Sequence, residues 1–274
     1  MQLPRRHAPP FAPEPNLMTP ETPTQANRIR LTERPADQPV VMRQDWQQLL
    51  FLHWRVSPVA VQAALPPGLT VDTFAGNAYI GLVPFQMRNV RPAGLFAVPW
   101  LSHFAEINVR TYVHDANGTP GVWFFSLDAA NPVAVLIARL LFHLPYFHAA
   151  MRVSGDTDIH YVSQRRHPGT KSAESVLRYA PTGAVRYATP GSLDHFLCER
   201  YLLFSERGGQ LFAGRVHHAP YPLQDVTVTD LSDTLVAAAG FAGVVGEPPA
   251  HAAYARGVRV AVFPLRRAGG RQRI

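Results

Sequence analysis

Glu106-Ile107-Asn108-Val109-Arg110-Thr111-Tyr112-Val113 alternates polar side chains with apolar or β-branched ones. Neighbouring residues of a strand point to opposite faces. Glu106, Asn108, Arg110 and Tyr112 therefore share one face, and Ile107, Val109, Thr111 and Val113 the other. The polar row meets either water or a cavity able to hold a polar ligand. The choice between these decides most of the functional reading.

Working outward, Asn117-Gly118 and the apolar run 122–128 complete a hairpin with this strand. Residues 77–90 form an earlier strand after Ala75-Gly76. Residues 151–153 and 159–164 flank Gly155-Asp156, and 200–205 and 210–217 flank Gly208-Gly209, giving two more hairpins. A short helix is expected over 192–198, another after Asp230, and a last strand over 257–264. Many hairpins and few helices predict an α+β, mainly antiparallel β fold closed into a barrel or strongly curved.

Residues 133–151 are apolar enough to need a membrane test. Arg139, His143, Pro145 and His148 interrupt them, and each is costly in a bilayer. The segment reads better as a helix capped by Asn131, opened by Pro132 and ended near His143 by Pro145. Its apolar residues lie nearly all round, which predicts a helix enclosed by other elements.

The 274 residues are 47% hydrophobic and 16% charged, enough apolar material for a sizeable core. The net charge of +7 is unevenly spread. Residues 1–42 hold five Arg and four acidic residues, Arg266, Arg267, Arg271 and Arg273 crowd the end, and the middle keeps +2. That distribution does not predict a nucleic-acid partner. The expected organisation is a Pro-rich disordered leader over 1–42, one domain over 43–265 and an Arg-rich tail over 266–274. Cys198, the only cysteine, reads as core, and with no signal-like run at the start the cytoplasm is the expected location.

Six segments carry a more specific resemblance: Phe51-Leu52-His53-Trp54, Leu65-Pro66-Pro67-Gly68-Leu69, Ala78-Tyr79-Ile80-Gly81-Leu82-Val83-Pro84-Phe85, Glu106 to Val113, Gly121-Val122-Trp123-Phe124-Phe125-Ser126-Leu127-Asp128 and Glu199-Arg200-Tyr201. In that order they resemble the YqjF-like bacterial family of unknown function (DUF2071), over about residues 43 to 264. The family is similar in fold to the acetoacetate decarboxylase superfamily. That likeness implies a cone-like β-barrel with a ligand cavity and small helices packed around it.

Acetoacetate decarboxylases follow a proline with two lysines, one forming a Schiff base and the other lowering its pKa. The similar place here is His143-Leu144-Pro145-Tyr146-Phe147, where the proline stands without the lysines. Lys171 is the only lysine, in a polar stretch that reads as a solvated loop. Decarboxylation through a lysine imine is therefore disfavoured. The resemblance matches Glu106 to the acid those enzymes place on a cavity-lining strand. It sets Tyr146 where the lysine stood, able to hydrogen-bond or donate a proton. On the same wall Arg110 could bind a carboxylate, Tyr112 could donate to a carbonyl oxygen, and Glu106 could accept a proton if burial raises its pKa. Arg200, in the Glu199-Arg200-Tyr201 motif, is either a further ligand-binding residue or half of a structural ion pair.

Two bland readings of the row stand beside this one. Glu106 and Arg110 could be an outward pair on a wet sheet face. They could equally be a buried network, neutralising each other or pairing with Arg139 and Asp128. His53, His217 and His218 make a poor metal site, since adjacent strand residues diverge. His143 and His148 are expected at the helix end, and Ser126 with Asp128 lacks a nucleophile elbow. No phosphate-binding loop is present and no cofactor or metal is expected. The resulting expectation is a small keto or carboxylate ligand in the barrel, turned over by acid/base chemistry or simply bound and sensed. A homo-oligomer is left open.

Overall fold

The computed structural model describes residues 20–268. The thirteen strands form one sheet. They are β1 (Met42–Val56), β2 (Thr70–Val71), β3 (Ala78–Pro92), β4 (Phe104–His114), β5 (Pro120–Ala129), β6 (Tyr146–Ser154), β7 (Ile159–Arg165), β8 (Glu174–Arg186), β9 (Leu202–Arg207), β10 (Gln210–His217), β11 (Leu223–Asp233), β12 (His251–Val262) and β13 (Arg266–Arg267). The helices are α1 (Gln25–Thr32), α2 (Pro58–Ala63), α3 (Pro132–Leu141), α4 (Leu193–Cys198) and α5 (Leu235–Ala238). Gly208 and Gly209 both take positive φ, 61° and 79°, which a tight two-residue turn between β9 and β10 requires.

The pairings close on themselves twice. One ring of nine strands runs β5-β6-β7-β8-β11-β12-β1-β3-β4 and back to β5. A second circuit leaves β5 through β9 and β10 and rejoins at β12. The two share the wall β12-β1-β3-β4-β5, which is therefore covered on both faces. Leu50, Leu52, Ile80, Leu82, Ile107 and Val109 pack inside the nine-strand ring against Ile159, Tyr161, Leu177 and Tyr179. Phe51, Tyr79, Phe85 and Tyr112 pack on the opposite face against Phe196, Leu197 and Cys198 of α4 and against Tyr221. Every residue of β4 from Glu106 to His114 is buried in consequence.

The outward ion-pair reading of the polar row is thereby overturned. Four other expectations are corrected. Residues 25–32, inside the stretch read as disordered, form α1: Thr24 caps it, Leu31 is buried, and Arg28 grips Asp72 with two bonds of 2.7 and 2.8 Å. Residues 1–19 lie outside the described residues. At the other end Arg266 and Arg267 pair with Ala213 and Phe212 as a short strand, and the residues beyond 268 are not described. The helix expected after Asp230 is present from Leu235, but β12 begins at His251, six residues earlier than expected.

The fourth correction concerns α3. Asn131 caps it and Pro132 opens it as predicted, yet only Val135 is buried, while Leu136, Leu140 and Leu141 are 58%, 58% and 64% exposed. The helix lies on the surface, because its inner face needs only Val135 and Ala138 to cover β5 and β6. No helix among the described residues is long and apolar enough to cross a membrane.

Candidate functional site

The β4 row faces the α4 side of the wall, together with its cross-strand partners. Glu106 lies opposite Ala129 and Asn108 opposite Leu127. A bulge between Val109 and Arg110 then sets Arg110 opposite Phe124.

At one end of the row, Tyr146, the first residue of β6, donates its hydroxyl to Glu106 Oε2 at 2.9 Å. Its backbone carbonyl is in turn held by Arg139 of α3 at 2.7 Å. Glu106 has no ion-pair partner among the described residues. Burial pushes its carboxyl up to about 8; the Tyr146 hydroxyl works against the rise and the Asp128 charge adds to it. The Tyr146 phenol is driven up in turn, first by burial and then by Glu106. A carboxyl poised near neutrality beside a phenol can take or give a proton.

The proposed internal network is not what holds these residues. Asp128 opposes Ile107, so it sits on the other face of the wall, where Arg165 binds it at 2.6 and 2.7 Å. Ser126, opposite Val109, also faces that side. Glu106 and Arg110 are four residues of strand apart, about 13 Å.

Arg110 stands in the middle of the row. Its Nη2 donates to Leu197 O at 3.0 Å, and its guanidinium lies over the Phe51 and Tyr112 rings. No carboxylate pairs with it among the described residues, and its buried Nε has no hydrogen-bond partner. The buried Asn108 Oδ1 on the same face is unpartnered too. His218 stacks on Tyr201 and meets the tilted ring of Tyr221, with both ring centroids 4.5 Å away. Its Nδ1 donates to Ala219 O at 2.8 Å, which leaves Nε2 as a buried, unpartnered acceptor. Burial above all lowers its pKa to about 4, so the ring is neutral.

At the far end, Tyr112 lies 2.7 Å from Leu197 O and 2.6 Å from His53 Nε2. His53 Nδ1 is 2.9 Å from His251 Nδ1, and His251 Nε2 is 2.9 Å from Asp194 Oδ1. Sheet register builds this line: His251 pairs with His53, His53 with Gly81, and Gly81 with Arg110. A Cβ on Gly81 would come within 2.9 Å of the His53 ring, so glycine here is the space in which that ring lies.

Arg200 is an ion-pair residue, held by Asp72 at 3.0 Å beside Arg28, with its Nε on Phe196 O. It stands over the Tyr112 and Phe196 rings and keeps one unpartnered nitrogen, Nη2. Burial lowers it to about 10, with Asp72 opposing the fall. Glu199 binds Tyr201 and the Tyr221 amide instead. His143 packs on Phe212 and His148 lies on β6, so neither caps α3, whose end is bonded through Phe142. Among the described residues no three His, Cys, Asp or Glu gather as metal ligands.

His251, Asp194 and Gly81 were not foreseen as parts of this line. Of these only Gly81 left a trace in the sequence, as a glycine inside an otherwise continuous strand pattern.

The fold is similar to that of acetoacetate decarboxylase-like proteins. An acetoacetate decarboxylase-like enzyme from Sphingomonas wittichii RW1 superposes with a TM-score of 0.57 at 14% identity, covering 84% of this chain and 93% of its own. The enduracididine biosynthesis enzyme MppR, complexed with pyruvate, gives 0.53 at 14% identity over 86% and 93%. The chain belongs to the DUF2071 family, described as an uncharacterized conserved protein, whose model matches residues 43–259. It is 39% identical over 228 residues to the uncharacterized protein YqjF of Bacillus subtilis (strain 168), covering 83% of this chain and 92% of that one.

Proposed function

We propose that the chain binds a small carboxylate of keto-acid size in a cone-like barrel cavity along the β4 row, and that Glu106 and Tyr146 give it acid/base chemistry. Arg110 carries the reading. A buried guanidinium without a carboxylate is costly unless something anionic compensates it, and Arg110 keeps an unpartnered Nε beside the unpartnered Asn108 Oδ1. The pyruvate in one structural neighbour supports a ligand of this size and charge. Tyr112 and Arg200 would complete the anion's surroundings.

The chemistry would not be that of a lysine imine. Tyr146 stands beside Glu106, and Lys171 is exposed in a loop. A phenol and a carboxyl can move a proton at a carbon or oxygen of the ligand, and neither forms an imine. Because Glu106 is bound to Tyr146 and has no cation paired with it among the described residues, its carboxyl can hold a proton near neutral pH, which favours turnover over simple binding or sensing.

Thermal shift with pyruvate and acetoacetate tests the pocket. A ligand at 100 times its Kd stabilises the folded state by about 2.7 kcal/mol. The wild type should gain several degrees, and Arg110→Ala should stay folded and gain none. An unshifted wild type, or a variant shifted as much as the wild type, would overturn the assignment.

A further inference from the structure

Hydrogen-bond geometry fixes where the protons lie along the line that leaves the Tyr112 end of the row. Leu197 O can only accept, so the 2.7 Å contact makes Tyr112 its donor. Having spent its one proton, the Tyr112 oxygen must accept at its 2.6 Å contact, and His53 Nε2 carries a hydrogen. His53 is buried, with His251 and Arg110 beside it, and is neutral, so its Nδ1 is bare. The facing His251 Nδ1 therefore donates across 2.9 Å. His251 Nε2 donates as well, to the carboxylate of Asp194. Two donors on one ring make His251 an imidazolium.

We propose that Tyr112, His53, His251 and Asp194 form a proton relay that stores one proton on His251, held there by Asp194, and delivers it to the buried row. The delivery step rests on the row being a ligand pocket. A base in that pocket takes the Tyr112 hydroxyl proton. The Tyr112 oxygen takes the proton of His53 Nε2, and His53 Nδ1 takes that of His251 Nδ1. One proton has then moved from His251 to the ligand, the two hydrogen bonds of His53 have reversed, and the Tyr112 bond to Leu197 O is given up. Asp194 accepts from His251 Nε2 throughout, so the proton comes back to His251 Nδ1 by the same three transfers run in reverse.

The surroundings suit this task. Asp194 also meets Arg186 of β8 at 3.1 Å, and Arg186 meets Asp225 of β11, so the outer end is an ionic cluster. The hydrogen bond from His251, ahead of Arg186, lowers the Asp194 carboxyl. At the inner end Arg110 of β4, Arg200 over the Tyr112 ring, the buried Cys198 thiol of α4 and the Tyr221 phenol are the other ionisable neighbours. Burial first, and then the His251 and Arg110 charges, keep His53 from holding a charge of its own, so His53 passes a proton without retaining it.

Histidine-ring nitrogen NMR on the 15N-labelled, ligand-free full chain tests the relay apart from the pocket, with H53Q and H251Q used to assign signals. At neutral pH His53 should be a neutral ring protonated at Nε2, and His251 should be protonated at both nitrogens. Raising the pH until His251 loses its proton should turn His53 into the Nδ1-protonated tautomer at the same midpoint. Asp194→Asn should produce that reversed state at a pH where the wild type keeps the first. A His53 already protonated at Nδ1 at neutral pH, or one that keeps its tautomer through the His251 transition, would overturn the relay whether or not a carboxylate binds. A merely structural line of bonds would leave the two rings uncoupled.

Discussion

Glu106 holds its proton because leaving it charged would strand an anion among buried side chains with one phenol for company. Its folded value of about 8 lies above the ordinary 4.5, so between these limits the folded chain keeps a proton that the unfolded chain has lost. The stability this gives is fully present below about 4.5 and is lost as pH rises through 8. The loss should reach the order of a few kcal/mol at about 1.4 kcal/mol per pKa unit. Glu106→Gln, which can still accept from Tyr146, should melt near the wild type at pH 5 and clearly above it at pH 8.5. Equal pH slopes of Tm in the two proteins would sink this account. Glu106 and Tyr146 could each be singled out in advance because they match positions of a known family, though their contact could not. The His53–His251 contact was not legible either, since the two are 198 residues apart and meet only through strand register.

At the scale of the element, α3 and β1 show what pattern alone could not supply. The Asn131-Pro132 start of α3 was legible from capping chemistry, which is local. Its environment was not, because an apolar helix carries no mark of which side meets the protein. Leu136→Gln with Leu140→Gln should therefore change stability by no more than about 0.5 kcal/mol, whereas Val135→Ala should cost about 1–3 kcal/mol. Chemical denaturation of the two variants checks this, and a larger loss from the Leu pair would mean that the outer face is covered. β1 escaped recognition for a different reason. Gln48 takes φ 52°, and the register against β3 shifts between Gln47 and Leu52. That extra residue breaks the period-two pattern midway.

For the whole molecule, antiparallel hairpins were predicted and found, while the double closure was invisible from the sequence. Rings close through contacts such as β5 with β9 and β10 with β12, which involve only two residue pairs each. No local signal marks such contacts. The shared wall should nonetheless be the last part to open, as β1, β3 and β4 are bonded on both edges and covered on both faces. Native-state hydrogen exchange should find the slowest amides in 107–113 and 50–54, and faster ones in the β6–β7 hairpin, whose outer positions are exposed. Uniform protection across both regions would contradict this ordering.

The covering of both faces has a further consequence for how β4 finds its place. In a sheet with one wet face, a slip of one residue along the neighbouring strand exposes apolar groups to water and is penalised once. A slip of β4 would misdeliver two cargoes together. Glu106, Asn108 and Arg110 would enter the chamber of Leu50, Ile80 and Tyr161, and Ile107 and Val109 would arrive beneath α4. Each half of the alternation is thus an address for a different interior, and the polar half that lines the proposed pocket also keeps the strand in register.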